Sequence, residues 1–279
     1  MNIQTYNLLV GLVFGLAIGS FLNVVIYRLP KMMEAQWARE VADLQGVEIG
    51  DGPTFNLMVP RSACPNCGHN LHAWENVPVL GYIFLRGKCS SCKTRISARY
   101  PLVEMAMGVA AGWCTWRYGL TPVALCWGAF SAALITMALI DWDTTLLPDD
   151  ITLPLLWAGL IASVLHWNPV GINDSIWGAV GGYMSLWIVY WVFKLITGKE
   201  GMGYGDFKLF SALGAWFGWQ GLVPVILMSS IVGLVCALVM KFTSTLRSGG
   251  QMPFGPFLAG AGMIGMYLGP FGLRSLTIG

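Results

Sequence analysis

The feature that most constrains this chain is a series of long stretches without a charged residue. A helix of about 20 apolar residues crosses the hydrocarbon core of a bilayer. Only 11% of the residues are charged, against about 25% in an ordinary soluble domain, so a purely soluble protein is excluded. This much apolar surface also excludes intrinsic disorder. The uncharged stretches are 1–27, 118–140, 151–173, 175–193, 209–240 and 248–273.

Two further features set the number of expected spans. The stretch 209–240 is too long for one ordinary span, and Gly218, Gly221 and Pro224 interrupt its middle. These residue types favour a turn between two helices. The stretch 102–116 is interrupted only by Glu104 near its start. The sequence therefore predicts an all-α polytopic membrane protein with about eight transmembrane helices.

The basic residues predict the orientation of these helices. Nine of them fall between Arg28 and Arg99, and with eight spans fourteen of the 16 lie on one side of the membrane. Because basic residues near span ends stay cytoplasmic, we expect the segment 28–100 in the cytosol and both termini outside. No basic residue precedes the first span, which favours a retained anchor over a cleaved signal peptide. The net charge of +2 gives no indication of nucleic-acid binding.

Four of the seven cysteines form two Cys-x-x-Cys pairs with 21 residues between them. The pairs are Cys64 with Cys67 and Cys89 with Cys92. This doubled spacing is typical of a tetrahedral zinc site, and four sulfur ligands leave no open position, so a structural Zn²⁺ is predicted. Disulfides or two reducible thiol pairs are the alternatives, although disulfides are rare in the cytosol. His69 and His72 lie close enough in sequence to replace a ligand.

Two aspartates stand where apolar helices are expected to reach the cytoplasmic boundary. Asp141 closes the apolar run 134–140, and Asp206 lies in the sequence Gly-Tyr-Gly-Asp-Phe-Lys of 203–208, directly before another apolar run. Two carboxyl groups brought together cannot both ionise easily, so they share a proton. One can then act as general base on a water molecule and the other as general acid. This arrangement predicts an aspartate pair of the kind used in aspartic proteolysis.

Two other interpretations of the acidic residues remain open. Asp206 could cap the helix that follows it, and Asp149 and Asp150 precede the next apolar run as capping residues do. Capping does not suit Asp141, because the macrodipole opposes an anion at a helix C-terminus. Carboxylates at a membrane boundary also serve ion-coupled transporters, so a transporter is the second alternative.

In their order along the chain, these motifs resemble those of the type IV prepilin peptidases, a bacterial family of membrane aspartic proteases. The Gly-x-Gly-Asp-x-Lys motif is weak alone and becomes specific together with the others. The resemblance covers nearly the whole chain. The matching segments are 19–30, the two cysteine pairs, 99–104, Asp141 with 147–149, 203–208 and 253–257.

The resemblance implies two activities. Members of this family remove the short basic leader of type IV prepilins and type II secretion pseudopilins at the cytoplasmic side of the inner membrane. They then N-methylate the new amino terminus with S-adenosylmethionine. The implied partners are these substrates and membrane lipid, without nucleic acid. A methyltransferase that lacks protease activity is a third alternative.

The resemblance also implies roles for individual residues. The proteolytic aspartates fall on Asp141 and Asp206. The zinc ligands fall on the four cysteines of the two pairs. Supporting roles fall on Asp149, Gly203, Gly205 and Lys208. The methyl-transfer site falls on Glu75, Asn76, Arg86 and Lys88.

The expected organisation has three parts. Residues 1–27 form the first transmembrane helix, and residues 28–100 form a small zinc-binding cytosolic insert that includes the methyl-transfer region. Residues 101–279 form a membrane aspartic protease domain with about seven further helices. Within the insert, a surface helix is expected near 32–44, where alanine, glutamate and glutamine are frequent. Both active sites are expected to face the cytosol.

Overall fold

The computed structural model describes residues 2–47, 54–243 and 252–278. Within these ranges the chain forms helices and two isolated β-bridges but no strand, which confirms the all-helical prediction. The helices are α1 (Ile3–Gln45), α2 (Leu80–Phe84), α3 (Arg99–Tyr118), α4 (Pro122–Thr144), α5 (Asp149–Val164), α6 (Ile172–Thr197), α7 (Tyr204–Phe217), α8 (Trp219–Phe242) and α9 (Gly255–Ile278).

Four of the described helices, α1, α4, α6 and α8, are long and apolar enough to cross a membrane. The chain is therefore a membrane protein. The prediction that 209–240 contains two helices is confirmed, because α7 ends and α8 begins on either side of Gly218. Gly218 has a φ of 73°, which glycine adopts readily. Arg247, one of the fourteen basic residues on the expected cytosolic side, and Ser248, where the last uncharged stretch begins, lie outside the described residues.

Helix α1 continues well beyond the apolar stretch that begins it. It has 43 residues and includes Pro30, so it is about 65 Å long at 1.5 Å per residue, roughly twice the thickness of the hydrocarbon core. The surface helix expected near 32–44 is confirmed, because this segment is helical and mostly exposed, and it is the second half of α1. Residue 27 ends the apolar stretch but does not end the helix.

The chain divides into two compact units, Met1–Gly128 and Ala129–Gly279. In the first unit, α1 packs closely along α3. A Cβ atom on Gly15 would stand 2.7 Å from the Ala111 Cβ, and one on Gly19 would stand 2.6 Å from the Glu104 Cα. Small residues permit this close approach between membrane helices, so the glycines of α1 fix the helix that follows the insert.

In the second unit, α7 lies at the centre and contacts α5, α6, α8 and α9. Its residues from Asp206 to Phe217 are buried, apart from Lys208. The Trp216 Nε1 donates a hydrogen bond to the Leu155 carbonyl of α5 at 2.9 Å. A Cβ atom on Gly214 would clash with the Gly178 carbonyl of α6. These contacts hold α7, and with it Asp206 in its first turn, at a defined position.

Candidate active site

Asp141 and Asp206 are both buried in the second unit. Asp141 lies in the last turn of α4 with 4% of its surface exposed, and Asp206 lies in the first turn of α7 with 7% exposed. Charged residues are almost never this buried without a partner or a function. Asp206 precedes the apolar stretch 209–240 and lies outside the four candidate spans. Burial and the negative charge of Asp141 raise the pKa of the Asp206 carboxyl to about 7, so the structure brings the two carboxyl groups into the same site.

The surroundings of Asp206 exclude the capping alternative for this residue. Gly203, and not Asp206, is the N-cap of α7, and the Asp206 carboxyl accepts a hydrogen bond from the Gly203 backbone. The Asp206 N–H donates to the Gly203 carbonyl at 3.2 Å. The Asp206 Oδ1 is buried and has no hydrogen-bond partner within the described ranges. A buried carboxyl oxygen of this kind makes Asp206 a candidate functional group.

The two glycines of the Gly-x-Gly-Asp sequence differ in their surroundings. Gly203 has an extended backbone with a φ of −81°, and a Cβ atom there would lie 3.9 Å from the Asp206 Oδ2. Gly205 lies against the segment that joins α4 to α5, where a Cβ atom would stand 2.6 Å from the Leu147 Cβ. The absence of a side chain at Gly205 therefore allows the segment that joins α4 to α5 to pack against the start of α7.

Lys208 and Asp149 form an ion pair between α7 and α5. The Lys208 Nζ donates to both carboxylate oxygens of Asp149, each at 2.7 Å. Asp149 is the first residue of α5, where Pro148 occupies the N-cap position without a side-chain capping bond. Asp149 thus pairs with Lys208 and is not the N-cap of α5, which was one of the two roles that the sequence allowed.

The four paired cysteines come together in the first unit. Their sulfur atoms all lie within 4.8 Å of one another. The Sγ atoms of Cys64 and Cys92 are 3.8 Å apart, and those of Cys67 and Cys89 are 3.9 Å apart. All four are free thiols, so the disulfide alternative is wrong. Four sulfurs at 2.3 Å from a tetrahedral zinc ion lie about 3.8 Å apart, so this donor set fits Zn²⁺.

The two cysteine pairs are held in matching turns. The Gly68 N–H donates to the Cys64 carbonyl at 2.9 Å, and the Lys93 N–H donates to the Cys89 carbonyl at 3.1 Å. Gly68 and Lys93, each four residues after the first cysteine of its pair, have φ values of 71° and 59°. Each turn therefore directs its two sulfurs to the same side.

A hydrogen bond network joins the two cysteine turns. The Asn66 amide donates to the Cys92 Sγ at 3.7 Å and to the Thr94 Oγ1 at 2.9 Å. The Lys93 Nζ donates to the Ser90 carbonyl at 2.8 Å. Groups around a metal site orient its ligands in this manner. Asn66 of the first turn thereby stabilises a sulfur of the second turn.

Glu75 is buried beside the cysteine turns. Its Oε2 accepts a hydrogen bond from the His72 N–H at 2.7 Å and lies 3.3 Å from the His69 Nε2. Hydrogen bonds from the Ser90 hydroxyl and from the His72 N–H hold the pKa of Glu75 below its ordinary value. His69 and His72 therefore group with Glu75, and the four sulfurs need neither histidine as a replacement ligand.

The other residues expected at a methyl-transfer site are only partly brought together. Asn76 lines a cavity of about 260 Å³ together with Arg61, Ser62 and His72. These side chains place an amide, a guanidinium, a hydroxyl and an imidazole group on the cavity wall. Arg86 has a positive φ of 51°. The backbone of Lys88 forms an isolated β-bridge with that of Arg95. Within the described ranges, no hydrogen bond or ion pair joins Arg86 or Lys88 to Glu75.

Two structural residues were not recognised from the sequence. Glu104 is buried and its Oε2 accepts a hydrogen bond from the Val79 N–H at 2.7 Å. Arg28 is buried at the middle of α1 and donates to the carbonyls of Asn56 and Pro60, at 2.9 and 2.6 Å. Both residues belong to segments that carry the family resemblance, 19–30 and 99–104. A charged residue in or beside an apolar stretch was the sequence feature that could have identified each of them as a buried, hydrogen-bonded group.

Comparison with known proteins agrees with this architecture. Residues 13–118 match the Bacterial Peptidase A24 N-terminal domain, and residues 128–238 match the Type IV leader peptidase family. The prepilin leader peptidase/N-methyltransferase of Pseudomonas aeruginosa is 51% identical over 265 residues, covering 92% of this chain and 89% of the relative.

Two further relatives carry the same name. The protein from Pseudomonas putida is 49% identical, covering 95% of this chain and 91% of its own. The protein from Aeromonas hydrophila is 48% identical, covering 92% of this chain and 89% of its own. No solved structure matches. With family matches in both units and about half of its residues shared with full-length relatives, the chain belongs to the type IV leader peptidase family.

Proposed function

We propose that this protein cleaves the basic leader peptide from type IV prepilins or type II secretion pseudopilins and N-methylates the new amino terminus. The observation that carries the proposal is the pairing of two buried carboxyl groups, Asp141 and Asp206, in a chain that belongs to this family. The relatives that share about half of its residues are named for the same two activities.

Cleavage uses the two carboxyl groups in different protonation states. In the proposed step the shared proton starts on Asp206, because burial and the negative charge of Asp141 raise the pKa of its carboxyl. The Asp141 carboxylate accepts a proton from a water molecule as the water oxygen bonds to the scissile carbonyl carbon. Asp206 donates its proton to the carbonyl oxygen. When the tetrahedral intermediate collapses, the C–N bond breaks and the nitrogen takes a proton from the pair, which releases the new amino terminus.

The position of the pair suits a substrate anchored in the membrane. A prepilin is a transmembrane helix preceded by a basic leader, so its scissile bond lies near a membrane boundary. Asp141 stands at the end of α4, which can cross the membrane, and Asp206 stands at the start of α7. With about eight spans and the basic residues on one side, this boundary is the cytosolic face of the inner membrane. Residues 101–279 then form the protease domain.

The insert 28–100 supports the second activity. Cys64, Cys67, Cys89 and Cys92 would hold a structural Zn²⁺, which joins the two cysteine turns. S-adenosylmethionine supplies an electrophilic methyl group when it is bound. Asn76, which lines the cavity, would bind the donor, and a role for Glu75 rests on the family resemblance. Roles for Arg86 and Lys88 rest on the family resemblance.

The proposal is tested with purified protein and a synthetic prepilin in detergent, where mass spectrometry follows leader loss and methyl gain separately. Asp141→Asn and Asp206→Asn are expected to lower cleavage at least about 100-fold, because acid–base groups contribute that much. Both variants should still methylate a peptide that has already been cleaved. Asp150→Asn, an exposed aspartate in the first turn of α5, is the matched control and should cleave normally.

The same assay separates the alternatives. A transporter leaves the prepilin at full mass with every variant. A methyltransferase without protease activity methylates the pre-cleaved peptide but never shortens the precursor. Either result with the wild-type protein overturns the proposed function.

A further inference from the structure

Gly255, the first residue of α9, lies directly against the Asp141 carboxyl group. A Cβ atom on Gly255 would stand 2.5 Å from the Asp141 Oδ2 and 3.1 Å from its Cγ. Real Cβ atoms essentially never come this close to another heavy atom, so one of the two groups would have to move. The backbone of Gly255 does not have a positive φ. The glycine is therefore required by the space that the carboxyl group occupies, not by a turn.

Leu147 completes the contact from the other side. It lies between α4 and α5, six residues after Asp141 in the chain. Its Cδ1 would stand 3.2 Å from a Cβ atom on Gly255 and also 3.2 Å from one on Gly205. Leu147 thus fills the space between the residue that precedes Asp206 and the residue that faces Asp141. We name Leu147, Gly205 and Gly255 the Leu147 clamp.

We infer that Gly255 is a positioning residue for Asp141, and that the Leu147 clamp sets the separation of the Asp141 and Asp206 carboxyl groups. The inference rests on the proposed proteolytic function and adds a role for the Pro-Phe-Gly-Pro-Phe sequence of 253–257. A displacement of about 1 Å in a catalytic group can lower a rate about 100-fold. The bulk of the Leu147 side chain and the absence of a side chain at Gly205 and Gly255 would therefore control the distance between the two carboxyl groups.

Other close glycines of the second unit face different atoms. Gly262 lies in the same helix, and a Cβ atom there would stand 2.7 Å from the Leu213 Cδ2 and 3.0 Å from the Leu134 Cδ1. Its neighbours are apolar side chains, so overpacking at Gly262 strains the core without touching a carboxyl group. Gly262→Ala is consequently a matched control for Gly255→Ala.

The experiment compares wild-type protein, Gly255→Ala and Gly262→Ala in detergent. It measures the melting temperature, kcat and KM for prepilin cleavage, the pH profile of kcat, and methylation of a pre-cleaved peptide. Gly255→Ala is expected to lower kcat by about 10- to 100-fold with KM unchanged, and to shift the alkaline limb of the profile because the carboxyl groups are separated. Gly262→Ala is expected to lower the melting temperature but to keep kcat within about threefold of wild type.

Leu147→Ala tests the clamp from the opposite side and keeps both glycines. It removes the Cδ1 atom shared by the two contacts, so kcat should fall with KM unchanged even if Gly255→Ala does not fold. The inference is overturned if Leu147→Ala or a folded Gly255→Ala cleaves like wild type, or if Gly262→Ala loses as much kcat as Gly255→Ala. Failure of the proposed function itself would appear differently, as a wild-type protein that does not cleave.

Discussion

Lys208 and Asp149 are joined by two hydrogen bonds of 2.7 Å, although 59 positions separate them in the sequence. Lys208 follows Asp206 by two residues, and Asp149 follows Leu147 by two residues. The ion pair thus fixes α7 to the start of α5 beside the paired aspartates. With 30% of the lysine and 52% of the aspartate side chain exposed, it contributes at most about 1 kcal/mol to stability, so we expect its main effect on geometry.

Breaking this ion pair should slow cleavage without unfolding the protein. Lys208→Ala and Asp149→Ala are each expected to lower kcat several-fold and to change the melting temperature little. The exchanged double variant, Asp149→Lys with Lys208→Asp, should recover part of the loss because it restores the pair in reverse. Steady-state kinetics on a prepilin peptide measures both effects. Equal losses in the exchanged and single variants would show that the two residues act independently.

Cleavage should depend on pH near neutrality. Because the pKa of Asp206 is about 7, this carboxyl is protonated below pH 7 and loses its proton above it. We therefore expect kcat to fall as the pH rises through about 7. Asp150→Asn should have the same profile. A rate that is constant from pH 6 to 9 would contradict the role of Asp206 as the proton carrier.

The same raised pKa predicts a pH-dependent stability. In the unfolded chain an aspartate has a pKa of about 3.9, so the folded state binds the proton more tightly between about pH 4 and pH 7. The contribution of Asp206 is therefore favourable at low pH and is lost as the pH rises through 7. Asp206→Asn should raise the melting temperature relative to wild type more at pH 8 than at pH 5. An equal difference at both pH values would contradict this linkage.

Removal of the metal should affect the insert. We expect one zinc ion per chain by elemental analysis and less after Cys89→Ser, because Cys89 is one of the four sulfurs in the cluster. Limited proteolysis should then cut within 54–98, since the two cysteine turns are no longer joined. Cys236→Ser, in α8, should keep its zinc. A wild-type protein purified without metal that resists proteolysis equally well would contradict the structural role of zinc.

The close contact between α6 and α7 predicts a stability effect that does not involve chemistry. Gly214→Ala would place a methyl group against the Gly178 carbonyl, and such overpacking costs about 1–3 kcal/mol. The melting temperature should fall clearly. Gly181→Ala, in α6, meets nothing closer than 3.4 Å and should be tolerated. Comparable melting temperatures for the two variants would contradict the described packing.

Local patterns predicted the features of this chain that depend on neighbouring residues. Uncharged stretches indicated the helices, Gly218 indicated the break before α8, and the doubled cysteine spacing indicated a cluster of four sulfurs. Each of these depends on periodicity or backbone freedom within a short segment. The end of α1 was not predicted, because the charged residues after Arg28 ended the apolar pattern while the helix continued through Pro30.

Contacts between distant segments could not be predicted in this way. The approach of Gly255 to Asp141 joins α9 to α4, and the ion pair of Lys208 joins α7 to α5. Such contacts depend on how helices pack, which no local pattern encodes. The positions of Asp141 and Asp206 at helix ends were predictable from the sequence, whereas the residues that pack against them were not.

The most direct test of the account is a comparison of Asp141→Asn, Asp206→Asn and the double variant in one prepilin cleavage assay. When two residues act as a unit, the first substitution already removes nearly all of the rate enhancement that the pair provides, so the second adds little. We predict that each single variant loses cleavage as completely as the double variant, while pre-cleaved peptide is still methylated. Cleavage by either single variant within about tenfold of wild type would contradict the claim that the two carboxyl groups activate water together.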